Sequence, residues 1–434
     1  AVDLAGMVPT TGSTGTVNIT GAGATTLTAL DTGINIINAS AATGALTVGT
    51  AARDTDVYTI TGGTAADSIA MENVADVLDG GAGADTLTLN FAAILGGLSV
   101  DLSSTTDQVV SMDGSSNTAV QKNFESVDLG AFTAFGAVVT GSDAANTIVG
   151  TASADNISGG KGADTITGGT GTAVVDVLSG GAGDDTFNYL LTADLFTSNA
   201  VVDSLTGGAG TDTILVGTSG TGFAIVSGDI WTRATTVEKI TSVVNTGVVS
   251  IAIDETAVAA GIRTIDLSGD TSSIGANVID VSDVTTATNF TLIGGTGVEI
   301  ITGDIGVDTM TGNGGADVFT IPNANTGNTQ ALGDTITDFV TTSDTIDMTV
   351  ASSGSNYTIA SEIDGSAHAD EAASQAAAFI VLDGTVLFVV VWNAYGSGDA
   401  IAYYDADGTY AANTEVITLT GINLAAEIAQ ADFV

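Results

Sequence analysis

The chain has no cysteine, two prolines, one histidine and only six lysines and arginines in 434 residues. Each scarcity excludes something. Without cysteine there are no disulfides and no thiolate zinc sites. With His368 as the one histidine, the familiar nucleophile–base pairs and the HExxH zinc motif cannot be assembled, and GxSxG is absent as well. Fifty acids against six bases give a formal net charge of −44. Such a chain repels phosphates, which argues against nucleic acid and anionic membrane as partners. Compaction must overcome that self-repulsion, and bound cations are the direct remedy. The longest apolar runs, such as TVLFVVVW at 385–392, fall well short of the roughly 20 residues of a membrane-spanning helix. The N-terminal AVDLAGMVPTTGSTG lacks the basic-then-apolar pattern of a Sec leader.

High charge can mark disorder, but charged residues are only 13% of this chain and hydrophobic residues 44%, enough for a core. Its 57 glycines fall in register. Residues 159–167 read GGKGADTIT, and the same nonapeptide appears as GGAGADTLT at 80–88, GGAGDDTFN at 180–188 and GGAGTDTIL at 207–215. Degenerate copies adjoin these in phase: GGTAADSIA at 62–70, MENVADVLD at 71–79, GSDAANTIV at 141–149 and GTASADNIS at 150–158. GGTGVEIIT, GDIGVDTMT and GNGGADVFT run without a gap from 294 to 320, and a three-residue insertion within 168–179 interrupts the second block. A flexible glycine linker would not hold a nine-residue phase in three separate blocks.

The unit has a physical logic. Its last three residues alternate polar–apolar–polar, a short strand with one side chain facing inward, and threonine and isoleucine favour extended backbone. Its first six residues reverse the chain, and glycine permits the positive φ this needs. The turn exposes carbonyl oxygens beside a carboxylate, hard ligands that suit Ca²⁺ better than zinc or copper. A nine-residue unit with one core side chain cannot fold alone and must stack on its neighbours.

These residues resemble the RTX (hemolysin-type) calcium-binding repeat family. The resemblance implies an all-β fold, a right-handed parallel β-roll in which two nonapeptides make one coil and several Ca²⁺ ions sit between stacked turns. Turns two repeats apart would share an ion, as the spacing of Asp67 with Asp85, Asn146 with Asp164, and Glu299 with Asp317 allows. The candidate ligands in the first block are Gly62, Asp67, Asp76, Gly80, Gly81, Gly83 and Asp85. In the central block they are Asn146, Asp155, Gly159, Gly160, Gly162, Asp164, Asp176, Gly180, Gly181, Gly183, Asp185, Asp203, Gly207, Gly208, Gly210 and Asp212. The last block adds Gly294, Gly295, Gly297, Glu299, Gly303, Asp304, Gly306, Asp308, Gly312, Asn313, Gly315 and Asp317. Glu299, Asn146 and Ala65 depart from the family pattern, which implies weaker sites there. GDTITDFVTTSDTID at 333–347 looks like the segment that follows such repeats, adding Asp334, Asp338, Asp344 and Asp347. The final VITLTGINLAAEIAQADFV, with Asp432 before Phe433-Val434, resembles an uncleaved type I secretion signal.

The rest of the chain is β-rich by pattern. TVNIT, TLTAL, INIINAS and ALTVGT alternate within the first 60 residues, and VEKITSVV, GVVSIAIDE, IRTIDLSG and NVIDVSDV do so between 237 and 284. Helices are expected at 368–380 and 421–431. The organisation expected is a β-rich region over 1–61, a first repeat block with a β connector over 62–135 and a central roll over 136–216. A β-rich spacer over 217–290, a second roll over 291–350 and a C-terminal β region over 351–434 complete it. DADG at 405–408 fails the EF-hand spacing and reads as a turn. His368 reads as a bystander, and Trp231 and Trp392 as packing residues.

Threonine-, alanine-, glycine- and aspartate-rich composition with few lysines resembles that of bacterial surface-layer proteins carrying RTX repeats. The expected function follows: a secreted, calcium-dependent structural protein, not an enzyme, that assembles with copies of itself at the cell surface, with cell-surface polysaccharide as a further expected partner. An adhesin or biofilm-matrix protein is the alternative. An enzyme with an RTX export domain ranks below both, because Arg53, Lys122, Lys161, Arg233, Lys239 and Arg263 are scattered and no catalytic pattern gathers them.

Overall fold

The computed structural model describes residues 15–27, 34–49, 57–71, 73–89, 96–112, 115–169, 174–217, 222–242, 247–271, 275–322, 333–348, 357–364, 388–392, 399–405, 414–422 and 432–433. The helices expected at 368–380 and over most of 421–431, His368, Arg53 and most of the DADG turn lie outside them.

The chain winds into an all-β roll, two strands to a coil, one on each of two faces. On one face an eighteen-strand sheet runs the length of the chain. Its parallel part starts at Thr25–Leu27 and passes through Leu46–Val48, Ser68–Met71, Thr86–Leu89, Ser126–Asp128, Thr147–Val149, Thr165–Thr167, Thr186–Tyr189 and Thr213–Val216. It continues through Lys239–Ser242, Thr264–Asp266, Thr291–Ile293 and Thr309–Thr311 to Asp334–Ile336. The strand Thr414–Leu419 then adds to it, followed by the antiparallel neighbours Ala400–Asp405 and Phe388–Trp392. The opposite face is divided among three sheets of five, eight and six strands. From Thr25 onward the long sheet takes strands from the first 61 residues, the 217–290 stretch and all three repeat blocks.

Sequence explains why the coils register. The middle residue of each strand triplet points inward: Ile148, Ile157, Ile166, Phe187, Ile214, Ile301, Met310 and Phe319 are all fully buried. Equivalent strands are 18 residues apart where two nonapeptides form the coil, as in Ile148 over Ile166. The three-residue insertion stretches one interval so that Ile157 lies over Leu178, with the register kept. A larger insert is pushed outward as the helix Thr192–Leu195 and the hairpin Phe196–Thr197 with Ala200–Val201, so that Phe187 still lies over Ile214. The second helix, Glu255–Ala260, starts where the Asp254 side chain accepts from the Thr256 N–H. Neither short helix is legible as a periodic pattern, because both are too short to show one. Among the described residues no helix is long and apolar enough to cross a membrane.

Candidate calcium sites

The residue at position six of each nonapeptide, an acid in all but Asn146, lies at the start of a strand, at the corner where the chain turns onto a face. Because the strands stack in register, these acids stack as well, in one column along each edge. One column holds Asp67, Asp85, Asp164, Asp185 and Asp212, then Asp308 and Asp334; the other holds Asp76, Asp155, Asp176 and Asp203, then Glu299, Asp317 and Asp344. All are buried.

The columns are tied together by the backbone. The Asp67 N–H donates to Asp85 Oδ1 at 2.7 Å, Asn146 N–H to Asp164 at 2.7 Å, Asp164 N–H to Asp185 at 2.8 Å and Asp185 N–H to Asp212 at 2.9 Å. On the other edge Asp155 donates to Asp176, Asp176 to Asp203, Glu299 to Asp317 and Asp317 to Asp344. One carboxylate oxygen per acid is therefore committed to holding the next coil in place.

The second oxygen separates two kinds of turn. In degenerate copies it is taken by the turn's own backbone. Gly63 N–H donates to Asp67, Asn73 to Asp76, Thr151 to Asp155, Asp304 to Asp308 and Val340 to Asp344, all at 2.6–2.9 Å. Tyr189 Oη–H satisfies Asp203. In the four full copies it has no partner: Asp85, Asp164, Asp185 and Asp212 each keep a buried Oδ2 that accepts nothing from the protein. Glu299 Oε2, in the GGTG turn, is a fifth. The cause lies in the glycines. Gly81 and Gly83, Gly160 and Gly162, Gly181 and Gly183, and Gly208 and Gly210 all have positive φ, a path that side chains rarely follow. On that path no N–H of the turn reaches the acid, and carbonyl oxygens gather near it instead. A Cβ on Gly159 would meet Asp164 Oδ2 and the Gly180 carbonyl oxygen.

A buried carboxylate oxygen without a donor, beside carbonyl oxygens, is a poor anion site and a good hard-cation site. The residues fit calcium: the acids Asp85, Asp164, Asp185, Asp212 and Glu299, with the carbonyls of the surrounding turn, would hold it. When bound, Ca²⁺ supplies the positive charge that these buried oxygens lack. A family model for the RTX calcium-binding nonapeptide repeat (four copies) matches residues 74–90, 140–175, 171–195, 202–218 and 292–320. The chain carries RTX calcium-binding repeats. It binds calcium, several ions to a repeat region. No curated protein matches the chain.

The other expected ligands of this chain take varied positions. Asn146 Oδ1 accepts from Ser142 N–H, and its Nδ2 donates to the Glu125 carbonyl, which leaves it an amide within the column. Asp304 accepts from the Thr288 and Gly306 N–H groups, and Asp338 from those of Gly312 and Asn313. Asp334 accepts from Asp308 N–H, and Asp347 ends the strand Thr345–Asp347. Three residues absent from the sequence reading also stand in the columns: Glu125, Glu238 and Asn277. The signal that could have found the two glutamates is the second half of the nonapeptide alone. ESVD and EKIT place an acid before a polar–apolar–polar triplet with no glycine ahead.

Burial sets the acids' protonation. It pushes Asp85 and Asp308 up to about 7, and Asp155, Asp203 and Asp212 up to about 6, with neighbouring carboxylates adding to the shift. Glu299 rises to about 7 through burial and then the charge of Asp317. The folded values lie above the unfolded ones, so without metal the folded state binds extra protons between them. That stabilisation is complete below the unfolded carboxylate pKa and is lost as pH rises through about 7. Metal-stripped protein is therefore expected to melt at a higher temperature at about pH 5 than at about pH 8. A differential scanning fluorimetry series would show it, and an equal or reversed order would refute the burial argument.

Proposed function

We propose that this chain is a secreted, non-enzymatic structural protein that assembles with copies of itself on a bacterial cell surface, in a lattice or filament held in shape by calcium. The observation that carries the reading is the continuity of the roll. One sheet takes strands from Thr25 to Leu419, from all three repeat blocks and from the stretch between the last two, so the calcium turns belong to the body of the roll. RTX-repeat proteins are typically secreted and extracellular, and extracellular sites of modest affinity fill at millimolar calcium. The net charge of −44 favours a loose chain where calcium is scarce and a compact one where it is plentiful. Stacked strands present faces and ends that can join copies, and a contact that does not close generates an open array. Type I export fits the acidic and apolar C-terminal residues, of which Phe433 is docked beside Ile346.

Negative-stain electron microscopy of the purified protein tests this. Ordered sheets or filaments are expected in millimolar calcium and dispersed particles in chelator. Dispersed particles in both conditions would refute self-assembly and turn attention to an adhesin or matrix role.

A further inference from the structure

Two turns outside the nonapeptide pattern share one geometry. They are Asn123-Phe124-Glu125 and Thr236-Val237-Glu238. Each begins with a non-glycine residue at positive φ, Asn123 at 57° and Thr236 at 51°. Each buries its middle side chain, Phe124 and Val237. Each then folds back onto the acid of a full repeat. Glu125 and Ser126 N–H groups both donate to the Asp85 carbonyl, at 3.0 and 2.9 Å, and those of Glu238 and Lys239 to the Asp212 carbonyl, at 3.0 Å each. In return Glu125 Oε2 accepts from Asp85 N–H at 2.8 Å, and Glu238 Oε2 from Asp212 N–H at 2.8 Å.

The carbonyls of these turns also stand where a neighbouring glycine turn would place one. A Cβ on Gly80 would strike the Asn123 carbonyl oxygen, and one on Gly207 the Thr236 carbonyl oxygen. Between full repeats the same place is filled by a glycine carbonyl, as that of Gly180 lies against Gly159. The acids they face are fully buried, and Asp85 Oδ2 and Asp212 Oδ2 accept no hydrogen bond.

We propose that each of these turns completes a calcium site that has the nonapeptide on one side only: Asp85 with the Asn123 carbonyl and Glu125, and Asp212 with the Thr236 carbonyl and Glu238. An amide would serve equally well to receive the Asp85 or Asp212 N–H. A second carboxylate beside a buried, donor-less one is repulsive until a cation lies between them. The columns change character just beyond. The residue stacked after Glu125 is Asn146, and the one after Glu238 is Arg263, whose N–H donates to the Glu238 carbonyl. Glu125 and Glu238 are thus the last acids of their runs, and they close them. The Asn123–Glu125 turn also lines a groove of about 470 Å³ with Ser103, Ser104 and Asp143, a wet approach for a hydrated ion.

The inference rests on the calcium reading of the full repeats and not on self-assembly. Isothermal titration calorimetry of the full chain with calcium tests it. Glu125→Gln and Glu238→Gln keep the hydrogen-bond acceptor but remove the charge. Each is expected to lose one bound ion, or to weaken one site by about tenfold or more, and the double variant two. Asp283→Asn, at an exposed acid away from the columns, should leave binding unchanged. Wild-type stoichiometry and affinities in both glutamine variants would overturn the proposal. A wild-type protein that bound no calcium would overturn the calcium reading itself. The two turns are independent, so a folding failure in one, seen by circular dichroism, leaves the other as the test.

Discussion

Metal-stripped protein at about pH 8 is expected to lose much of its thermal stability and of its β-sheet circular dichroism, and calcium should restore both. The reason lies in the oxygens left over at the turns. Asp85, Asp164, Asp185 and Asp212 each bury a carboxylate oxygen without a donor, and Glu299 does the same. An unsatisfied buried polar group costs roughly 1–3 kcal/mol, and more when charged. The whole stability of a folded domain is only about 5–15 kcal/mol. The cation cannot be replaced from within, because the described ion pairs are few. Lys161 reaches Asp143 at 2.6 Å, Lys122 reaches Asp79 at 3.2 Å and Lys239 reaches Asp266 at 2.7 Å. None of these acids is one with an orphaned oxygen. At about pH 5 protonation takes over part of the work, so the loss should be smaller there. Superimposable melting curves with calcium and with chelator at about pH 8 would show that the columns are stable without metal.

The second large effect is expected at Gly181. It stands in register between Gly160 and Gly208, and all three have positive φ, 105°, 115° and 126° along the column. A Cβ on Gly181 would press on the Gly160 carbonyl oxygen, which belongs to the backbone and cannot turn away as a side chain would. Gly181→Ala therefore incurs backbone strain of about 1–3 kcal/mol. It also incurs overpacking of about 1–3 kcal/mol. A fall in Tm of about 2–7 °C in saturating calcium is expected, together with weaker calcium binding, since the crowded oxygen belongs to the turn of a full repeat. Gly23→Ala is the control. Its φ is ordinary and nothing lies within 4 Å of the new methyl, so its Tm should hardly move. Equal melting of the two variants would mean that the glycine column is not what sets the turn path.

Much of this protein is local, and what is local can be read from the chain. Nine residues contain a complete instruction: GGKGAD turns, TIT extends, and Ile166 points inward because alternation leaves it no other direction. That unit must stack on its neighbours; its resemblance to the RTX repeat implies the two-nonapeptide coil, and the 18-residue spacing allows one position-six residue to lie on the next, as Asn146 stacks on Asp164. The hardness of the ligands and the scarcity of basic residues likewise imply calcium without any coordinates. What the tertiary structure alone decided is non-local. Lys239–Ser242 and Thr264–Asp266 follow no nonapeptide turn, yet they join the same sheet because stacking rewards any strand that offers an inward apolar residue in register. Glu125 meets Asp85 across 40 residues and Glu238 meets Asp212 across 26, separations that no repeat length encodes. Which acids keep an oxygen for a cation also depends on whether a backbone N–H reaches it, as Gly63 reaches Asp67 and Gly81 does not reach Asp85. The sequence determines the unit and its chemistry because both reside within nine residues; the stack decides the sites because each is made by two turns that only folding brings together.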